Sequence, residues 1–514
     1  NAGNLYLNSA FTVAGPISAY GGYVEVSNTI TSSGTGDILL KGITNSGGCV
    51  NVYGGVTKTS GTSTLLMQGH GRVINSGTIS ASGTGVLNLV MWSDYDGDNV
   101  GGGSTLNGGS VSTNGGHVWM GGSNSNGGSY TWNGLTVGDG PSTGAAGSNC
   151  HAIDLFAPIT TSGGDVLLWA SNNGGCGTSG IVSDVNRHIN AGTGDITLIA
   201  YQTAGAIELS STGLISLLPH AGSYPSALTI GGTLTAGNFS INTSLYNGLK
   251  INNMANSGLI VGNYSGHLSG GTAVTQGNNT NVTVSSALTT KSLEIYGGAI
   301  ALNENITTTG TSADILIKAI SNINLAASKV ITTNAGDVNL WADSDDNSAG
   351  YVQLFANTTI NSTGGNINLG GGADLATDYA FGTTAETCSE ATGTQYISGV
   401  HLRQSSSLNS NGGNISVRGQ NANTANAVMS FGISLRGVSM NSGTGKIAIN
   451  GIANGSGSVN AQGVASWGAL TLRSANTSAD AISITGNALA STGSSSLGVN
   501  TVALFEATGA GGGI

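Results

Sequence analysis

The sequence predicts an all-β fold, a β-solenoid, from three observations. First, a short motif recurs: a Gly-rich turn, usually a polar residue, then Ile/Val-x-Leu/Ile/Val-x-Ala/Gly. It is clearest at Thr161–Ala170 (TSGGDVLLWA) and returns at Thr35, Asn114, Thr193, Ala313, Asn334, Thr363, Asn411 and Thr444. Second, no window keeps helical i, i+3, i+4 spacing over three turns. Third, a longer repeat lies above the short one, so the chain is built of two copies of one larger unit.

Each part of the motif has a physical reason. Gly supplies the positive φ of a tight corner. The alternation after it gives a strand with one apolar face, which puts Val166 and Leu168 on the same side. A strand this short cannot bury its apolar face alone, so the units are stable only when stacked. Val166, Leu168, Ile315, Ile317, Val338, Leu340, Ile415 and Val417 are therefore expected to line the interior as aliphatic ladders.

The larger repeat aligns Asn4 onward with Asn281 onward, so that Tyr20-Gly21-Gly22 matches Tyr296-Gly297-Gly298. Later the offset falls to 249, because the first copy carries an extra stretch around Gly47–Ser76, and Trp92-Ser93-Asp94 then matches Trp341-Ala342-Asp343. The expected organisation is a first super-repeat over 1–220, linking coils over 221–280 and a second super-repeat over 281–514. Each copy is interrupted once, by Ser123–Asn149 and Ala373–Ser398. Both interruptions carry aromatics and break the strand pattern, which predicts two long loop excursions projecting from one side of a rod. The Gly-rich end, Ala507–Ile514, shows no capping element, which predicts continuation or self-association, head-to-tail or lateral.

Composition narrows the function. Of 514 residues 87 are Gly and only 7% are charged, yet Ile, Leu and Val are evenly spaced, which speaks against disorder. The net charge of −11 is spread thinly and no basic stripe exists, so nucleic acid is excluded as a partner. No apolar run reaches membrane length. The chain starts at Asn1 without Met or signal peptide, as expected of a mature or internal segment of a secreted protein. With coils of ~24 residues stacked ~4.8 Å apart, Cys49 and Cys388 lie roughly 70 Å apart and cannot pair. Cys150 and Cys176, 26 residues apart, are about one coil apart and can form a disulfide; the alternative is four buried thiols.

Three sets of residues carry candidate chemistry. Asp94, Asp96 and Asp98 (DYDGDN) and, in the second copy, Asp343, Asp345 and Asp346 (DSDDN) present alternating carboxylates that suit calcium. The competing explanation is that Asp and Asn favour turns. Trp92, Trp169 and Trp341 take outward strand positions, where an aromatic face can stack on a sugar ring; coverage by the excursions is the alternative. Gly69-His70-Gly71-Arg72 resembles the Gly-His-Gly element of polygalacturonase-like hydrolases, which raises a polysaccharide-active enzyme. Glycoside hydrolysis needs two carboxylates about 5–9.5 Å apart across one bond. The sequence shows no such pair near His70, so no catalytic residue is assigned and the chain is expected not to be an enzyme.

The repeated Gly-Gly-Asp/Asn-Ile/Val-x-Leu pattern, with the WADSDDN and RGQNA segments, resembles the large bacterial exoproteins of the filamentous haemagglutinin-like family. That resemblance covers nearly the whole chain. It implies a right-handed parallel β-helix, export by a two-partner route, an extracellular or bacterial cell-surface location, and a role as an adhesin or fibre. The outward Asn, Ser, Thr and Gly suit contact with host or matrix polysaccharide or with a second rod.

Overall fold

A corner built from two glycines sets the architecture. In the computed structural model Ser162 and Gly163 take φ of 58° and 123°, and the pair recurs at Thr363 and Gly364 (48°, 122°) and at Asn411 and Gly412 (52°, 145°). The following glycine has a different task. A Cβ on Gly164 would collide with the carbonyl of Gly116 in the preceding coil, and one on Gly413 with that of Gly365. The first Gly turns the chain and the second lets coils approach. The hydroxyl before the turn closes it: Thr333 Oγ1 donates to Gly336 O at 2.5 Å and Ser442 Oγ to Gly445 O at 2.7 Å.

The structure describes all residues except 1–2, 44–47, 99–101, 145–150, 172–179, 185–186, 201–202, 221–226, 232–238, 243–248, 263–278, 384–385, 388–394, 422–428, 455–459, 490–495 and 502. The chain is all-β and its strands stack in parallel. It divides into two compact units, Asn1–Leu228 with Gly232–Asn278, and Thr229–Gly231 with Asn279–Ile514. Among the described residues no helix is long and apolar enough to cross a membrane.

Within the first unit the coils from Leu5 to Pro219 each contribute one strand to each of three sheets. Leu5–Leu7, Phe11–Val13 and Ile17–Gly21 pair in parallel with Val24–Val26, Ile30–Ser32 and Ile38–Gly42 of the next coil. The second unit repeats the plan from Val282–Val284, Leu288–Thr290 and Ser292–Gly297. The extra stretch of the first copy is one added coil, Gly48–Val52, Val56–Lys58 and Thr62–Gly69. Coil length is not the uniform ~24 residues assumed from stacking. Partners along the third sheet are 19 residues apart at the short end and 48 where an excursion intervenes, as between His117 and Asp165 and between Asn366 and Asn414.

The inward ladders form as expected. Ile315, Ile317, Val338, Leu340, Ile415, Val417 and Leu168 are fully buried and Val166 is 1% exposed. A second ladder, of side chains accepting backbone N–H groups, runs through the polar residue of the motif. Asp337 N donates to Asp314 Oδ1, Asn366 N to Asp337 Oδ1, Asn414 N to Asn366 Oδ1 and Lys446 N to Asn414 Oδ1, at 2.7–2.9 Å. In the first unit the rungs are Asn88, His117, Asp165 and Asp195. Each short acceptor takes the N–H of the next coil, which explains the Asp or Asn at this place in the motif.

The first excursion does not project as expected. Ser129–Trp132 and Leu135–Gly138 pair as an antiparallel hairpin turned at Asn133 and Gly134, both with positive φ. Its tip lies on the ladder: Trp132 meets the His117 ring edge-on at 5.7 Å, and Asn133 Nδ2 donates to Asp165 Oδ2 at 2.6 Å. Burying aromatics under the hairpin favours this over an extended loop. In the second excursion Ala380–Gly382 joins a parallel sheet beside Ile415–Asn421, and Glu386–Thr387 pairs antiparallel with Gln395–Leu402.

Candidate functional site

The corner that follows the third sheet of the first unit gathers a histidine and three carboxylates. His70 follows the third strand of the added coil, Arg72 opens the first strand of the next coil, and the third strand of that next coil leads into Asp94, Asp96 and Asp98. His70 Nδ1 stands 3.3 Å from Asp96 Oδ2, and its ring stacks on Tyr95 at 5.9 Å and 19°. Lys41 Nζ covers the other part of this corner, 3.7 Å from the Tyr95 ring centroid. The second unit keeps the cation over an aromatic, with Lys318 Nζ 3.6 Å from the Trp341 ring, but lacks the His70 coil.

Asp94, Asp96 and Asp98 each offer a carboxylate oxygen, and the three oxygens lie within 4.8 Å of one another. Asp94 is buried, Asp96 half-buried and Asp98 exposed, so the cluster opens to solvent on one side. Asp94 has φ of 50° and its Oδ2 accepts the Thr143 hydroxyl at 2.8 Å. Converging oxygens of graded burial suit a hard divalent cation of the calcium kind.

The second acidic loop differs from the first and corrects the expectation of two matched calcium loops. Among the described residues Asp343, Asp345 and Asp346 do not converge as a ligand set. Asp343 Oδ1 accepts Ala349 N–H at 3.0 Å and Asp345 Oδ2 accepts the Asn347 amide at 2.8 Å, so these carboxylates serve their own turn. Burial, reinforced by Asp345 and Asp346, pushes Asp343 up to about 6.

Arg72 and Asp154 form a buried ion pair across the stack. Their Nη2 and Oδ2 are 3.2 Å apart, with side chains 14% and 4% exposed. Thr105, in the coil between, accepts from Arg72 at 2.7 Å and donates to Asp154 at 3.1 Å. Burial raises the Asp154 carboxyl above its ordinary value even though Arg72 and Thr105 pull it down. Lys58 is fully buried and donates to Ser32 Oγ, Ser63 Oγ and Gly34 O, while burial lowers its affinity for the proton.

The tryptophans correct the expectation of exposed sugar-stacking rings. Trp92 is 2% exposed and Trp169 4%, so neither face is offered to a ligand. Trp92 Nε1 donates to Ser123 Oγ at 2.7 Å, so the first excursion covers it, and Trp169 Nε1 donates to His220 Nδ1 at 3.4 Å. Trp119, unassigned in the sequence reading, is fully buried and meets Trp92 edge-on at 6.4 Å. Trp341 is half-buried, its Nε1 bonded to Gly372 O at 2.7 Å at the start of the second excursion. Cys150, Cys176 and Cys388 lie outside the described residues; Cys49 is buried and its sulfur accepts Gly71 N–H at 2.9 Å.

Sequence reasoning missed the Arg72–Asp154 pair and the meeting of His70 with Asp96. The available signal was the added stretch, the one that the second copy lacks and the one carrying Gly-His-Gly-Arg. No protein-family model, curated protein or solved structure matches the chain.

Proposed function

We propose that this chain is an extracellular, non-enzymatic structural and adhesive rod, a right-handed parallel β-helix of the filamentous haemagglutinin-like kind at a bacterial surface. It meets polysaccharide or further copies of itself through its outward faces. The observation that carries this reading is the division of each coil. Inward positions are mostly aliphatic and buried, whereas outward rows are mostly small and polar, with amides that bond from coil to coil. Asn368 Nδ2 donates to Asn339 Oδ1 at 2.8 Å and Asn409 Nδ2 to Asn361 Oδ1 at 3.0 Å. Such a surface presents amides and hydroxyls with little charge, and stacking of covalently continuous coils supplies length and stiffness. Calcium is the cation this reading admits, at Asp94, Asp96 and Asp98.

One observation favours a second reading, a polysaccharide-active enzyme: His70 beside Asp96 in an open acidic corner. Three carboxylates converging on one corner supply the oxygen set of a hard cation, which supports the first reading. Two measurements on the purified chain separate the readings. Electron microscopy of the native material should show rods or ordered fibres. Incubation with a panel of neutral and acidic polysaccharides should release no new chain ends. Turnover abolished by His70→Ala would replace the structural reading with the enzymatic one, and compact isolated particles would remove the rod.

A further inference from the structure

We propose that the outer face of the first three coils of unit one is a binding site for a neutral polysaccharide, built by Tyr6, Tyr23, Glu25, Asn51 and Tyr53. The inference rests on the polysaccharide reading above and names the place where the contact is made. Tyr6, Glu25 and Asn51 stand in register on consecutive parallel strands, so their side chains share one outward row. Tyr6 and Tyr53 are each 50% exposed, the reverse of the covered Trp92 and Trp169.

The polar groups between the rings are already ordered. Glu25 takes the Tyr23 O–H on Oε2 and the Ser27 O–H on Oε1, both at 2.8 Å. Asn51 is 7% exposed and donates from Nδ2 to Tyr23 Oη at 2.8 Å and Tyr53 Oη at 3.2 Å. Asn4 Nδ2 donates to Tyr6 Oη at 3.2 Å, and the Tyr6 and Tyr23 rings pack at 5.9 Å. Burial and the Glu25 carboxylate hold the Tyr23 phenol above its ordinary range, so it remains a donor. Tyr6 and Tyr53 thus accept amide protons, which leaves each phenol its own O–H to donate. The face offers two ordered aromatic surfaces with hydroxyl donors at their edges.

The fold does not require this decoration. By the repeat alignment the second copy places Thr283, Ala299 and Ala301 where the first has Tyr6, Tyr23 and Glu25, and it lacks the added coil that carries Asn51 and Tyr53. Coils that stack equally well without tyrosines leave binding as the reason for half-exposed rings. The occupant follows from the chemistry. Aromatic faces stack on the C–H face of a pyranose while phenol edges hydrogen-bond its oxygens. Glu25 is the one charged group in the row, so anionic polymers are repelled. Tyr6 and Tyr53 lie two coils apart, about 10 Å at the strand spacing, which fits several linked sugars better than one.

Affinity electrophoresis of the full chain tests this, through gels holding mixed-linkage β-glucan, galactomannan or, as the anionic control, polygalacturonate. We expect retardation on a neutral gel and none on polygalacturonate. Tyr6→Ala with Tyr53→Ala should lose at least ten-fold in affinity with an unchanged melting curve, while the two Phe variants keep most of it. If the Ala variant melts early, the Phe pair and the single Tyr53→Ala change carry the test. Equal retardation of wild type and Ala variant would overturn this site and leave the polysaccharide reading intact. Retardation by no polymer would overturn both, and binding to polygalacturonate alone would overturn the neutral assignment. Loss of self-association in place of glycan binding would show the occupant to be a second copy and would also overturn it.

Discussion

Replacing Arg72 by Met keeps much of the side-chain volume and removes the partner of Asp154. That carboxylate is 4% exposed and already raised by burial, with Arg72 the main influence holding it down. Breaking a buried pair by deleting one partner costs about 3–5 kcal/mol, because the remaining charge has neither water nor a counter-ion. Protonation limits the loss. The Asp154 carboxyl titrates at 3.8 when unperturbed, and the interval from there to pH 7, at about 1.4 kcal/mol per unit, caps the cost at roughly 4 kcal/mol. The sign follows from proton counting. In the variant the folded value is raised, so the native state holds a proton that the unfolded chain has released. Stability is then full below the unfolded value and falls as pH rises toward the folded one. Urea unfolding followed by tryptophan fluorescence at pH 5 and pH 7 reads this directly. The deficit should shrink on acidification. Combining Arg72→Met with Asp154→Leu should restore stability to within about 1 kcal/mol of wild type, as for other apolar replacements of buried pairs. A loss below 1 kcal/mol at pH 7, or one equal at both pH values, would refute the argument that the pair is desolvated.

Leu340, fully buried in the second unit, should lose about 2–5 kcal/mol as Leu340→Ala and more as Leu340→Asp, which buries an unpaired charge; urea midpoints unchanged by the Asp variant would contradict a continuous apolar interior. His401 is held at about 3 by burial and by Arg403 and Arg436, so it stays neutral in the folded state. Its contribution is complete above about 6.5 and declines by about 1.4 kcal/mol per unit as pH falls toward 3, a slope that His401→Gln should remove in acid titrations followed by circular dichroism. The carboxylates of Asp94, Asp96 and Asp98 repel one another when ionised, so millimolar calcium should raise the melting temperature by several degrees and Asp94→Ala with Asp96→Ala should cancel the rise. Melting curves identical in calcium and in chelator would leave turn chemistry as the explanation of that loop.

Local sequence determined the coil. Gly163 and Gly164 specify a corner and a close approach, and the period-two pattern of Val166 and Leu168 specifies the buried face, because both depend only on neighbours within a few residues. The double copy and its added stretch were equally legible, since repetition is a property of the string. Tertiary structure decided which chemistry meets which. His70 reaches Asp96 across 26 residues, and Arg72 reaches Asp154 across 82, through coils whose lengths no local rule supplies. The hairpin at Ser129–Gly138 covers Trp92 because burial of large aromatic surface outweighs an open loop, a balance invisible in the outward position of the ring. The same stacking leaves Tyr6 and Tyr53 uncovered, for no excursion of the described chain lies over the first sheet there. Exposure is the sum of every segment packed above a side chain, and only the assembled coils determine that sum.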